Sequence, residues 1–219
     1  MGVQVCADHD EAVADVRDGS TVLIGGFGLA GMPTRLIDAL IRQGARDLTV
    51  VSNNAGNGDT GLAALLDAGR VRRMICSFPR QHDSHVFDRL YRAGEIELEV
   101  VPQGTLAERM RAAGAGIGGF YCRTGVGTLL AEGKETREID GTTYLLEKPL
   151  PGDIAFIKAH AADHAGNLVY RKTARNFGPV MATAARCTIA EVGEVVAPGG
   201  LDPEAVVTPG IYVDRVVSA

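Results

Sequence analysis

Short runs of branched apolar residues alternate with longer amphipathic stretches through the first half of the chain. Runs with the length and composition of buried strands lie at positions 21–24, 48–51, 73–76 and 96–101. Apolar residues recur at helical spacing between these runs, over 33–44, 61–68, 82–92 and 105–113. Pro33 suits the first turn of its helix, and Gly44 suits the end of that helix. Strands that alternate with helices predict βαβ units and a mostly parallel sheet with helices on both faces.

The second half of the chain has the pattern of hairpins. Two short strands are predicted at 136–139 and 142–146, on either side of Asp140-Gly141, a dipeptide typical of two-residue turns. Further strands are predicted at 153–159, 168–170 and 188–192, and a short helix over 177–185. We therefore predict an α/β fold with an open, mostly parallel sheet covered by helices and a small antiparallel portion. Because no linker or repeat interrupts this pattern, residues 1–219 are expected to form a single domain.

The charge balance and the cysteines narrow the class of protein. With 22 basic and 27 acidic residues the net charge is −5, which offers no electrostatic footprint for nucleic acid. The four cysteines are widely spaced and form no Cys-x-x-Cys pair, so we expect reduced thiols. No secretory signal is visible, and no apolar run approaches the roughly 20 residues of a membrane span. We expect a cytoplasmic protein with neither nucleic acid nor a membrane as its partner.

A glycine-rich turn joins the first predicted strand to the first predicted helix. Its sequence, Gly25-Gly26-Phe27-Gly28-Leu29-Ala30-Gly31-Met32-Pro33, contains Gly-x-Gly-x-x-Gly in the context of a dinucleotide-binding fingerprint. An NAD-binding oxidoreductase subunit is therefore one alternative, although that motif requires an acidic residue at the end of the second strand. The chain has Asn53-Asn54 there, and no acidic residue follows until Asp59. A plain βα turn without chemistry is another alternative.

The two asparagines offer a third interpretation of this sheet edge. Backbone N–H groups of a glycine turn can stabilise negative charge that develops on a carbonyl oxygen. Asn53 and Asn54 end the neighbouring strand, so their amides would lie over the same edge, where ligands of open α/β sheets bind. Turn formation alone would also explain two asparagines after a strand.

The residues around these motifs resemble the family I CoA-transferases over nearly the whole chain. The first signature comprises Asp18-Gly19, Val22 to Phe27, Gly31 and Pro33. The similarity continues through Ser52 to Gly56, Pro102 to Arg109, Gly114 to Phe120, Thr124 to Thr128, Arg175 to Phe177 and Thr208 to Asp214. Within the family, the segment from Cys76 to Asp88 is most similar to the 3-oxoadipate enzymes, and the succinyl-CoA:acetoacetate enzymes are next.

The resemblance implies a transfer of CoA through a glutamyl-CoA thioester. The nucleophilic glutamate of that family stands in a Ser-Glu-Asn-Gly motif, and no glutamate of this chain has that context. The chain is therefore expected to be the α subunit, active only with a β subunit that carries the glutamate, in an α2β2 heterotetramer. The expected reaction moves CoA from succinyl-CoA to 3-oxoadipate, with acetoacetate as the alternative acceptor. The CoA thioester is a substrate, and no permanently bound cofactor or metal is expected.

The resemblance also implies roles for residues of the glycine turn and its neighbours. Asn53 is expected to be the main oxyanion donor, with Asn54 beside it, since a carboxamide donates without titrating. Substrate-binding positions are expected at Gln103, Gly26, Phe27, Gly28 and Gly31. A regulatory or metabolite-sensing module on the same scaffold is the non-enzymatic alternative.

Several other polar groups are expected to be structural. His82 and His85 would form an exposed pair at i, i+3 on a helix rather than a metal site. Cys76 is expected to be a core thiol rather than a nucleophile. Glu108 is expected to be a helix-surface charge, and Glu191 a strand-end residue.

Two arginine-rich clusters have two interpretations each. Arg70, Arg72 and Arg73 are expected to form a solvated patch at a helix end, with a CoA phosphate as the alternative partner. Around Arg171 to Arg175, the basic side chains could meet a CoA phosphate or contact the other polypeptide of the enzyme.

Overall fold

A computed structural model describes residues 2–219, and within that range the chain forms two β-sheets. The strands are Gln4–Val5 (β1), Thr21–Ile24 (β2), Leu48–Ser52 (β3), Val71–Cys76 (β4), Glu97–Val100 (β5), Phe120–Cys122 (β6), Thr136–Ile139 (β7), Thr142–Glu147 (β8), Gly152–Asp163 (β9), Leu168–Val169 (β10), Ala185–Val196 (β11) and Arg215–Ser218 (β12). The α-helices are His9–Val13 (α1), Thr34–Gln43 (α2), Leu62–Asp67 (α3), His85–Ala93 (α4), Gln103–Gly114 (α5) and Gly178–Ala184 (α6). Within residues 2–219, none of these helices has the length and apolar content that crossing a bilayer requires.

The order of strands in the larger sheet is β1-β12-β11-β9-β2-β3-β4-β5, with β10 added to β9. Each pairing along this path is parallel, and only the β9–β10 pair is antiparallel among the described strands of the sheet. The chain adds β3, β4 and β5 on one side of β2, whereas β9 joins the other side. This reversal creates a topological switch point between β2 and β9, and open sheets bind ligands beyond the carboxyl ends of such strands. The predicted α/β fold with a mostly parallel sheet is confirmed.

Helices cover both faces of this sheet, and alternate residues of each strand point to opposite faces. Val22 and Val50 pack with residues of α1 to α4 on one face. Leu23 and Val51 pack with residues of α5 and α6 on the other face. Burial of each such side chain stabilises the fold by about 1.5–3 kcal/mol, which explains why the strands read as nearly continuous apolar runs.

The smaller sheet, in the order β6-β8-β7, is antiparallel. Its β7–β8 hairpin turns at Asp140 and Gly141, which have positive φ angles of 50° and 72°. Two consecutive positive φ angles are the requirement of the turn that the Asp-Gly dipeptide predicts. The predicted antiparallel portion is therefore confirmed, and β6 joins it as a third strand that the pattern did not predict.

Glu191 connects the sheet to the start of α2. It lies in the middle of β11, so the prediction of a strand-end residue is wrong. The strand continues to Val196 because its pairing with β9 extends past the apolar residues from which its end was predicted. The carboxylate is 0% exposed and accepts hydrogen bonds from the N–H groups of Arg35 (3.0 Å) and Leu36 (3.2 Å). Lys158 Nζ lies 2.8 Å from its other oxygen. These contacts compensate the buried charge and fix the first turn of α2, which the glycine turn precedes.

The helix predicted over 82–92 begins later than the pattern indicates. It starts only at His85, because Ser84 bonds the loops before it, donating to Gly56 O and accepting from Gln81 N–H. His82 and His85 are exposed, as expected, but the prediction that they share a helical face is wrong, since His82 lies outside the helix.

The basic cluster around Arg70 does not form the predicted solvated helix-end patch. Arg72 and Arg73 lie in β4 and pair with Glu97 and Glu99 of β5. Arg70 instead donates to carbonyl groups at the C-terminus of α2. These arginines are explained by contacts within the chain.

Candidate active site

The glycine turn after β2 folds into a small hairpin that projects from the sheet edge. Phe27 and Ala30 exchange two backbone hydrogen bonds, with Gly28 and Leu29 at the tip. Gly28 has a φ of 61°, a conformation that glycine adopts without steric cost. The apolar side chain of Phe27 is 49% exposed and lines cavities at the carboxyl edge of the sheet.

The side chain of Asn176 holds this hairpin in place. Its Oδ1 accepts from the N–H groups of Gly26 (3.1 Å) and Phe177 (2.7 Å). Its Nδ2 donates to the carbonyl oxygens of Ala30 (2.9 Å) and Thr173 (2.7 Å). One carboxamide therefore connects both ends of the hairpin to the 3-10 helix Lys172–Arg175.

Gly31 packs directly against the same 3-10 helix. Its φ is 74°, and a Cβ built there would lie 2.6 Å from the carbonyl oxygen of Ala174. Glycine is required at this position because both the conformation and the space exclude a side chain. The predicted substrate-binding position Gly31 thus has a structural role in closing the turn against Ala174.

The hydrogen bonds within the turn determine which N–H groups remain for a ligand. Those of Gly26 and Phe27 already bond to Asn176 and Ala30. Within residues 2–219, the N–H groups of Gly28, Leu29 and Gly31 make no hydrogen bond. The N–H of Gly26 is therefore occupied, whereas the N–H of Gly28 is available to an anionic oxygen in this conformation.

Asn53 lies beside the glycine turn, at the carboxyl end of β3, and is 1% exposed. Its Oδ1 accepts from Ser77 Oγ at 2.7 Å and from Gln103 Nε2 at 2.8 Å. Two donors on the oxygen fix the orientation of the amide and leave the Nδ2 donors for another acceptor. Within the described chain Nδ2 has no hydrogen-bond partner, so it is available to an acceptor on a ligand.

Asn54 has a different environment from Asn53 and is not among the residues that line the cavity beside it. Its Oδ1 accepts from the N–H of Gly56 at 2.9 Å, which forms an Asx turn. Its Nδ2 is fully buried and lacks a partner in residues 2–219. Asn54 therefore shapes the loop after β3 and does not open toward the same cavity as Asn53.

Three adjoining cavities surround the ring of Phe27. One, of about 340 Å³, is lined by Asn53, Ser77, Phe78, Gln81 and Gln103 in addition to Phe27. A second, of about 330 Å³, shares Phe27 and Gln103 with the first and reaches Asn176 and Phe177. A third, of about 570 Å³, shares Phe27 and Asn176 with the second and ends at Arg175. Through these shared residues they form a groove at the carboxyl edge of the sheet.

The structure brings Asn53, Gln103 and Phe27 together, as the sequence analysis expects. It also adds Ser77 and Asn176, which orient Asn53 and the glycine turn. Both lie in segments that resemble the CoA-transferases. Neither has a local sequence signal for its role, because each acts through a hydrogen bond to a residue at least 24 positions away.

The structure does not support a nucleophilic thiol at Cys76 or a metal site among the described residues. Burial raises the pKa of the Cys76 thiol to about 12, so it is a protonated core residue at neutral pH. Within residues 2–219, no group of three His, Cys, Asp or Glu side chains could hold a metal ion. Glu108 pairs with Arg111 on the surface of α5, as expected for a helix-surface charge.

Comparisons with known proteins give relatives along nearly the whole chain. A model of the coenzyme A transferase family matches residues 7–219. The chain is 68% identical over 207 residues to the A-type subunit of the 3-oxoadipate CoA-transferase of Pseudomonas putida, covering 94% of this chain and 90% of that protein. It is 55% identical over 217 residues to the A-type subunit of the succinyl-CoA:3-ketoacid coenzyme A transferase of Xanthomonas campestris pv. campestris (strain B100), covering 99% of this chain and 89% of that one.

The fold is also found in a solved structure. The acyl-CoA transferase YdiF of Escherichia coli O157:H7 superposes with a TM-score of 0.87 at 26% identity, covering 100% of this chain. The chain spans only 47% of the length of that protein, so the matching fold forms one part of a longer polypeptide there.

Proposed function

The chain belongs to the coenzyme A transferase family, and from this premise we propose that it is the α subunit of an enzyme that moves CoA from succinyl-CoA to 3-oxoadipate. The high identity to one subunit of a 3-oxoadipate CoA-transferase supports this choice of acceptor. The observation that carries the proposal is the Asn53 carboxamide, which lines a cavity at the sheet edge and whose oxygen is held by Gln103 and Ser77.

The reaction we propose exchanges one thioester for another. A glutamate carboxylate of the β subunit attacks the succinyl thioester and expels CoA thiolate, which leaves a succinyl-glutamyl anhydride. The thiolate then attacks the glutamyl carbonyl, releasing succinate and leaving a glutamyl-CoA thioester. The carboxylate of 3-oxoadipate attacks this thioester and reverses the two steps, which gives 3-oxoadipyl-CoA and restores the glutamate. Bonds and charges balance without ATP or a metal ion.

Each attack places negative charge on a carbonyl oxygen, and this chain supplies the donor for it. Asn53 Nδ2 is oriented before substrate arrives, so little reorganisation accompanies the reaction. Gly28 offers a backbone N–H from the facing turn. Phe27 covers the reacting atoms and excludes water, which would otherwise hydrolyse the thioester.

The division of labour requires a second polypeptide. The chain has no Ser-Glu-Asn-Gly motif, and its buried Glu191 is already engaged by Lys158 and by α2. We propose that the β subunit brings the glutamate to the groove around Phe27 and that the complex is an α2β2 heterotetramer. The absence of a permanent cofactor and a cytoplasmic location remain predictions.

The second candidate acceptor is acetoacetate. It is favoured by the 55% identity to one subunit of a succinyl-CoA:3-ketoacid coenzyme A transferase. An NAD-binding oxidoreductase is not proposed, because Asn53 and Asn54 occupy the place of the acidic residue that would hold the ribose. Comparison of kcat/KM for 3-oxoadipate and for acetoacetate, with succinyl-CoA as the donor, decides between the two acceptors.

The experiment that tests the proposal uses this chain co-purified with its β subunit. Asn53→Ala is expected to lower kcat by about 10²–10³, as for the loss of one oxyanion donor. Ser77→Ala is the graded comparison, because it removes one of two donors to Asn53 Oδ1 and is expected to cost less. An unchanged rate for Asn53→Ala would remove Asn53 from the catalytic role, and a complex inactive with both acceptors would contradict the function.

A further inference from the structure

Arg175 ends the 3-10 helix that supports the glycine turn, and it lines the largest of the three cavities. The other lining residues of this cavity are Phe27, Ala30, Thr173 and Asn176. Phe27 and Ala30 provide an apolar wall, so the guanidinium group is the cavity's one charged group among the described residues.

Arg175 is exposed, and its charge has no acidic partner within residues 2–219. Within residues 2–219 its guanidinium makes no hydrogen bond and no salt bridge, whereas many arginines of the chain pair with carboxylates. Burial raises the pKa of Tyr170 to about 12, and the hydrogen bond to Thr208 and the charge of Arg175 act in the opposite direction. An arginine that borders an apolar cavity without an acidic partner is suited to bind an anionic group of a ligand.

The cavity of Arg175 continues into the groove that contains Asn53. It shares Phe27 and Asn176 with the middle cavity, which shares Phe27 and Gln103 with the cavity of Asn53. An acyl chain whose reacting carbonyl lies at Asn53 can therefore extend past the ring of Phe27 toward Arg175.

We propose that Arg175 binds the distal carboxylate of dicarboxylic acyl groups and is a specificity-determining residue. This inference rests on the proposed function, because succinyl and 3-oxoadipyl groups both have a carboxylate at the end remote from the thioester. The planar guanidinium can donate two parallel hydrogen bonds to that carboxylate. Acetoacetate has a methyl group at its distal end and gains nothing from this contact.

The test measures kcat/KM for two acceptors in Arg175→Met, with the complex of both subunits and succinyl-CoA as the donor. In ping-pong kinetics kcat/KM for the acceptor reports only the steps after the glutamyl-CoA enzyme forms, so changes in the use of succinyl-CoA do not enter. We expect kcat/KM for 3-oxoadipate to fall by about 10- to 100-fold, the size of one charged hydrogen bond. The value for acetoacetate should change less than about 3-fold, and Arg175→Lys should recover part of the loss.

Arg171→Met is the matched control, since it removes the same charge four positions away, in a different cavity behind the turn. It should leave the ratio of the two kcat/KM values unchanged. An unchanged ratio of the two kcat/KM values in Arg175→Met, or the same change of ratio in Arg171→Met, would overturn the inference.

A binding measurement separates this inference from the proposed transfer. Calorimetry on the complex compares adipate with hexanoate, which have the same chain length and differ in the distal carboxylate. We expect Arg175→Met to abolish the preference for adipate. If the wild-type complex prefers adipate and Arg175→Met does not, but neither acceptor receives CoA, the proposed function fails and the role of Arg175 stands. If the wild-type complex shows no preference, or Arg175→Met keeps it, the role of Arg175 fails.

Discussion

Asn176 offers the clearest perturbation of the glycine turn, because one side chain makes four hydrogen bonds that hold it. Asn176→Ala removes all of them, and each contributes about 0.5–1.5 kcal/mol net. The side chain is partly buried, so water replaces some of these bonds, and we expect a loss of about 2–3 kcal/mol in the free energy of unfolding. For a domain of this size that loss corresponds to a decrease of about 4–12 °C in Tm.

Asn176→Asp separates the contributions of the two ends of the carboxamide. It keeps an acceptor for the N–H groups of Gly26 and Phe177 but places a carboxylate oxygen against the carbonyls of Ala30 and Thr173. We expect a destabilisation at least as large as that of the alanine variant. Because Phe27 loses its fixed position, kcat/KM for the transfer should also fall in both variants.

The assay is thermal unfolding of the complex by circular dichroism, together with steady-state kinetics on the same preparations. Lys172→Gln serves as the control, because Lys172 is an exposed side chain of the same 3-10 helix and makes no hydrogen bond to the turn. An Asn176→Ala complex with the wild-type Tm and kcat/KM would refute the conclusion that this side chain holds the turn.

Three further predictions concern other parts of the chain. Gly31→Ala should destabilise the complex by at least about 1–2 kcal/mol, the cost of a left-handed conformation, since its Cβ would also approach the Ala174 carbonyl oxygen at 2.6 Å; chemical denaturation measures this. Glu191→Ala should cost about 1–3 kcal/mol in the same assay because it leaves the N–H groups of Arg35 and Leu36 without their acceptor, and Glu191→Gln, which keeps an acceptor, should cost less. The hydrogen bonds of Arg215 lower the pKa of Asp15, so their stabilisation is present above the unfolded pKa of about 3.9 and disappears as pH falls through the lower, folded value. The difference in Tm between wild type and Asp15→Asn should therefore be present at neutral pH and vanish in acid.

Local signals in the sequence were sufficient to predict most of the fold. The apolar runs mark β2, β3, β4 and β9 because strands buried on both faces need apolar residues at almost every position. The Asp-Gly dipeptide predicted the β7–β8 turn for a local reason, the positive φ angles of both residues.

The elements that the pattern did not predict depend on distant partners. The strands β1 and β12 are short and pair with each other from opposite ends of the chain, so neither has a local signature. Likewise, the helix begins only at His85, because the side chain of Ser84 forms hydrogen bonds with Gln81 and with Gly56 of another loop.

The candidate site, too, could be predicted from the sequence only in part. Asn53 and Gln103 could be selected from the sequence by their family resemblance, and their contact confirms that they lie together. The orientation of the Asn53 amide could not be predicted, because it depends on Ser77 at the end of another strand. The hydrogen bonds of Asn176 to the glycine turn, and the location of Arg175 in the groove, form only when the 3-10 helix packs on that turn.

The most direct test of the account is to locate the covalent intermediate. The complex of both subunits is incubated with succinyl-CoA without an acceptor, and the peptides of each polypeptide are examined by mass spectrometry. We predict a CoA thioester on a glutamate of the β subunit and none on this chain, with no transfer by this chain in isolation. A CoA adduct on any glutamate of this chain, or full turnover without the β subunit, would contradict the proposal that the chain provides only the oxyanion half of the active site.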